Sequence, residues 1–192
     1  MVAQTKKLSI AFYWHMHQPV YQLTPTGDYL MPWTRLHAVK DYLDMLVILD
    51  KFKNIKLNFN LVPVLLDELI DYGENGMHDI HSRLTITDVK DLSNDDKEFI
   101  INNFFDANYH SMILPHSEYN RLYQKAQQNA YDDIGIFTEQ EYSDLMALFN
   151  LVWFDPIYLN KYPELKKLIK KGKNYSLEDR IKIIELQREI IR

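Results

Sequence analysis

The chain has no cysteine in its 192 residues, which excludes disulfides and thiolate metal sites and fits a reducing interior. Its five glycines form neither a glycine-rich phosphate loop nor a G-x-S-x-G elbow, so the phosphate-cradling and serine-elbow chemistries are absent. No apolar run approaches the roughly 18 residues a membrane span needs. Residues 1–7, MVAQTKK, are too short and polar to lead a signal peptide, so no membrane and a cytoplasmic location are the expectation. An excess of positive charge is missing too. Twenty-two basic residues against 27 acidic ones give a net charge of −5, and only Lys166, Lys167, Lys170, Lys171 and Lys173 cluster. That run reads as a solvated helix end, and no nucleic-acid partner is expected.

What is present is a core. At 46% hydrophobic and 13% aromatic, a chain of this length can bury one domain's interior. The stretch LSIAFYWH (8–15) is nearly continuously apolar, the pattern of a strand covered on both faces in a parallel sheet. After a loop with Pro25, Gly27 and Pro32, RLHAVKDYLDMLVILDKF spaces Leu36, Val39, Leu43, Leu46 and Leu49 as one amphipathic helix. IKLNFNLVP (55–63) alternates as a second strand, with Pro63 placed to open the next helix. Strand, helix, strand implies a parallel crossover. The remainder reads as helical: Ser93 with Asp96, Thr138 with Glu141, and Ser176 with Asp179 have capping-box spacing. Residues 64–135 form a long helical excursion without a strong strand.

Two parallel strands do not make a stable sheet alone, and the apolar pattern of SLEDRIKIIELQREIIR is still running at Arg192. The expectation is therefore an α/β fold in which residues 1–192 are the N-terminal segment of a larger single domain; a complete β/α barrel takes about 250 residues.

The chemistry concentrates in IAFYWHMHQP (10–19). Side chains alternate along a strand, so His15 and His17 share one face at the strand's C-terminal end, where sites form in barrels and open sheets. A lone histidine there is more often a core residue satisfied by backbone; two in register beside Gln18 and Pro19 point to function. Such a pair can ligate a divalent ion, although no other histidine, including His78 and His81 in what reads as a solvated loop, completes a ligand pattern. It can equally hold a polyhydroxylated ligand, with Gln18, Tyr13, Trp14 and Trp33 adding directional bonds and flat apolar surfaces. Asn60 ends strand two and can join the same cleft or cap the following helix. Trp153 and Asp155 read first as a core residue and a turn initiator. No carboxylate pair with an acid/base role stands out.

The segments YWHMHQPVY, MPWTRLHAVKDYLDM, FNLVPVLLDELIDY, HSMILPHSEYNRLY and FNLVWFDP, in this order over nearly all of residues 7–192, resemble the N-terminal half of glycoside hydrolase family 57, the α-amylase, amylopullulanase, branching-enzyme and 4-α-glucanotransferase group. The resemblance implies an incomplete (β/α)7 barrel with a long helical insertion, acting on α-glucans or maltooligosaccharides with retention of configuration and with no metal or other cofactor. His15, His17, Gln18 and Pro19 match the family's first motif, which places His17, with His15, beside the catalytic centre in contact with sugar. Trp33, Arg35, His37 and Trp153 match recurrent positions and by that resemblance line the cleft. The family's catalytic glutamate and aspartate belong to later motifs, and neither motif is found before Arg192. No catalytic residue is therefore assigned here, and the rest of the catalytic domain is the expected partner. The competing readings are a metal-dependent hydrolase using the His-x-His pair and a non-catalytic carbohydrate-binding module.

Overall fold

Parallel pairing brings the two apolar runs together. The computed structural model of the protein describes residues 8–22, 24, 27–129 and 133–192; Pro25 and residues 1–7 of the sequence reading lie outside them. Strand β1 (Tyr13–Met16) pairs with β2 (Asn58–Leu61) in the register Tyr13↔Asn58, Trp14↔Phe59, His15↔Asn60 and Met16↔Leu61. Both are shorter than their apolar runs because the chain turns away at each end of β2. Ile55 donates to the Phe52 carbonyl at 3.0 Å in a tight turn before it, and Pro63 opens a helix after it.

The expected burial of both sheet faces is not found. Leu8 is 86%, Phe12 58% and Trp14 48% exposed, because among the described residues no further strand lies beside this pair. The described architecture is thus an α/β arrangement with one parallel strand pair and a large helical body; the barrel itself is not seen.

The single helix expected over residues 35–52 is two, α1 (Trp33–Ala38) and α2 (Asp44–Leu49). The His37 carbonyl accepts from both Lys40 N–H at 3.1 Å and Asp41 N–H at 2.8 Å, which tightens the chain. The Val39 carbonyl is diverted to Asp155 N–H at 3.0 Å. Periodicity runs across this break, but burial does not follow it: Leu36 and Val39 enter the core, while Leu43, Leu46 and Ile48 remain exposed.

From here the described chain is helical. Helix α3 (Pro63–Gly73) starts with proline at its first turn, where a missing N–H costs nothing, and Val62 as its uncapped N-cap. It is followed by α4 (Ile80–Ile86), α5 (Asn94–Asn103), a five-residue π turn (Tyr109–Ile113), α6 (Ser117–Gln128), α7 (Glu139–Leu151), α8 (Pro163–Lys171) and α9 (Leu177–Ile191). All three expected capping boxes are formed, at α5, α7 and α9. The lysine run ends α8 on Gly172, whose φ of 73° is the left-handed conformation a helix stop favours. Helix α7 is the axis of the body, buried at every residue from Tyr142 to Leu151. Among the described residues, no helix is long and apolar enough to cross a membrane.

Candidate functional site

Register makes the first contact of the site. Pairing sets His15 opposite Asn60, and His15 Nδ1 lies 2.7 Å from Asn60 Oδ1. An amide oxygen only accepts, so Nδ1 carries the hydrogen and Nε2 of the neutral ring is left as an acceptor. Asn60 therefore orients His15 rather than capping α3, the other role open to it from sequence. His17, two residues on and on the same face, stacks with the His15 ring at a centroid distance of 5.7 Å and 22° between planes. Both imidazoles are exposed.

The peptide after His17 leads into a second, better buried group. Gln18 Nε2 donates to the Tyr42 hydroxyl at 2.8 Å, and Gln18 Oε1 accepts from the Tyr21 hydroxyl at 2.7 Å. The amide is thereby fixed at both ends, and burial pushes the Tyr42 phenol up to about 12. The Tyr42 ring stacks on His37 at 6.2 Å, the Trp153 ring meets His37 edge-on at 5.4 Å, and Trp33 leans on Trp153 at 5.9 Å. His37 Nδ1 lies 2.6 Å from Asp41 Oδ2, one helical turn on. Trp153, only 8% exposed, supports Trp33 and His37 from the core side, and its indole N–H has no partner among the described residues.

The seven sequence candidates thus fall into two groups joined by the chain at residues 17–18. His15, His17 and Asn60 lie on the sheet face, and Gln18, Trp33, His37 and Trp153 lie at the junction with the helical body. Arg35 turns away from both. It is 3% exposed and donates to Asp79 at 2.6 and 3.2 Å, to Asn150 at 2.8 Å and to Gln187, tying α1 to α4, α7 and α9. Its role is to anchor the helix that carries Trp33 and His37. Burial opposes ionisation of Asp79, but the Arg35 charge and hydrogen bonds outweigh it and hold the carboxyl below the ordinary aspartate range.

The stretch GMHDIHSR is not a solvated loop. Asp79 and Ser82 make a fourth capping box at the start of α4, and the Asp-x-x-Ser spacing was its available signal. His81 is 2% exposed, packed between Phe99, Phe104 and Phe149 at 5.0–5.4 Å. Burial, only partly opposed by Asp79, lowers its pKa to about 4, so it is neutral near pH 7.

Glu68 carried no signal in the sequence. It is buried, accepting from Thr34 Oγ1 and from Tyr21 N–H at 3.3 Å, so that α3 holds both the Gln18–Tyr21 loop and α1. Burial raises its pKa despite the hydrogen bonds from Thr34 and Tyr21. Asp41, Tyr21 and Tyr42 are likewise additions from the structure. Among the described residues, no three His, Cys, Asp or Glu side chains converge where they could share a metal ion.

Chemically, the site offers imidazole acceptors of fixed tautomer, a clamped amide and tilted aromatic rings, a donor and acceptor set suited to a ligand with many hydroxyls. A family model described as Glycosyl hydrolase family 57 matches residues 11–186. No curated protein and no solved structure matches the chain.

Proposed function

The chain belongs to glycosyl hydrolase family 57, and on that premise we propose that it supplies the sugar-binding wall of a retaining α-glucan hydrolase or glucanotransferase. The family makes its substrate a carbohydrate and its enzyme class that of the glycoside hydrolases. The α-glucan or maltooligosaccharide specificity, the cytoplasmic setting and the division of labour are our reading. The observation that carries it is the His15–Asn60 bond across the strand pair, which holds one imidazole in a set tautomer while His17 stacks beside it.

In this reading His15, His17 and Gln18 bind hydroxyls of the reacting sugar, and Trp33, His37 and Trp153 bound the next part of the cleft. Bonds that strengthen as the ring gains oxocarbenium character lower the barrier more than they tighten ground-state binding. A retaining mechanism also needs two carboxyls about 5–5.5 Å apart, one attacking the anomeric carbon and one protonating the leaving oxygen. We assign both to the remainder of the (β/α)7 barrel, outside residues 1–192. The exposed strand pair, with apolar side chains at Phe12 and Trp14, supports a continuing sheet.

The test is a reducing-sugar and product-profile assay on soluble starch and maltoheptaose, with the full gene product and residues 1–192 run in parallel. Activity in the full product alone fits the proposal. Activity in the 192-residue segment would place a carboxyl pair within it, and activity in neither would overturn the substrate assignment. In the active protein His17→Ala should lower kcat/KM by at least about tenfold, roughly 1.4 kcal/mol of transition-state stabilisation; unchanged kinetics would remove His17 from the site.

A further inference from the structure

The hydrogen-bond pairing of His15 with Asn60 has a second instance in the same site. His37 Nδ1 and Asp41 Oδ2 are 2.6 Å apart, on side chains 33% and 44% exposed, at the end of α1 where the chain leaves the helix. The His37 ring stacks on Tyr42 and lies at 80° to the Trp153 ring, contacts that hinder it from turning to offer its other nitrogen to Asp41. Its Nε2 has no protein partner among the described residues and is not buried. One nitrogen is therefore committed, and the other is free and accessible.

We propose that Asp41 is a positioning residue: it keeps the proton of His37 on Nδ1, so that Nε2 accepts a hydrogen bond from a hydroxyl of the bound glucan. The assignment rests on the α-glucan reading above and extends it to a residue outside that reading. A carboxylate accepts only, which fixes which ring nitrogen carries the hydrogen. Its charge also polarises the ring, making Nε2 a stronger acceptor than a ring held by a neutral amide, as His15 is. The site then presents two imidazole acceptors, one bound by Asn60 on the sheet and one by Asp41 on the helix. Both complement hydroxyl hydrogens that the donor groups of Gln18 and the indoles cannot take.

The experiment uses the full-length protein labelled with 15N-histidine, read by NMR for the tautomer of His37 and by calorimetric titration with maltoheptaose. The wild type should show His37 protonated on Nδ1. Asp41→Ala should shift the ring toward the Nε2-protonated form and weaken maltoheptaose binding by about fivefold, the worth of one hydrogen bond. Asp41→Asn, which retains an accepting oxygen, should keep the tautomer and bind within about twofold of wild type. A shifted tautomer with unchanged affinity would remove His37 Nε2 from the glucan, and an unshifted tautomer would remove Asp41 as its cause; either overturns the proposal and leaves the α-glucan reading intact. Failure of the wild type to bind maltoheptaose, with its fold confirmed by a cooperative thermal melt, would overturn that reading and this one together.

Discussion

In α7 ten consecutive residues are buried, whereas in β1 and α2 none is. Hydrophobicity does not explain the difference: five of the six residues of α2 are apolar, against seven of the 13 in α7. They differ in what lies opposite them. Around α7 the helices α4, α5, α6 and α9 close a continuous core, while Phe12, Trp14, Ile48, Phe52, Ile55 and Leu57 line an open groove of about 410 Å³. Apolar pattern states which face wants cover; only a neighbour supplies it. The site sits on the border, its histidine pair on the uncovered strands and its tryptophans anchored in the covered body.

Mutations should separate the two regions by severity. Arg35→Met strands Asp79 as an unpaired buried charge and should cost about 3–5 kcal/mol in urea unfolding; a loss under 1 kcal/mol would mean that the network is not formed in solution. Phe149→Ala, at the centre of the core, should likewise cost about 3–5 kcal/mol. In residues 1–192 alone, Phe12→Ala and Ile48→Ala, in the open groove, should each stay within about 0.5 kcal/mol. A cost above 2 kcal/mol at Phe12 would break the comparison by showing that its face is covered.

Acid should act on the helical body through His81. Its pKa in the folded state, about 4, lies below the ordinary 6.5, so between those values the unfolded chain binds more protons than the folded one. The stabilising effect of keeping His81 neutral is complete above pH 6.5 and is lost as pH falls toward 4, amounting to about 3 kcal/mol. His81→Phe should flatten this part of the profile. The difference between the two proteins isolates His81, because Glu68, whose raised pKa acts with the opposite sign as pH rises from about 4.5, is common to both. Thr138→Ala or Ser176→Ala should each remove a cap worth about 1 kcal/mol, and a chemical melt of each variant would show whether the caps contribute equally.

Local features were legible in the sequence where the signal was local. Capping spacing found α5, α7 and α9, Pro63 marked the start of α3, and alternation set His15 and His17 on one face. The break between α1 and α2 was not legible, because it depends on Asp155 reaching back to the Val39 carbonyl, a contact between residues far apart in sequence. The same holds for Glu68 and Arg35. Each is an ordinary charged residue in a helical segment, and its burial follows from partners on other helices. Asn60 fits both roles open to it from sequence until register places it opposite His15. The Asp79–Ser82 cap is a local feature, and its signal is the Asp-x-x-Ser spacing.

The Arg35 anchor also constrains the order in which the protein can be built. Its partners are Asp79, Asn150 and Gln187, so the network is complete only after Gln187 has been synthesised. At roughly 5–20 residues per second, on the order of 10 seconds separate Arg35 from Gln187, and over that interval the anchor of α1 is incomplete. Trp33 and His37 are encoded early and positioned late, so a ribosome stalled before Gln187 would hold a chain in which α1, the helix that carries both, is not yet locked to α9.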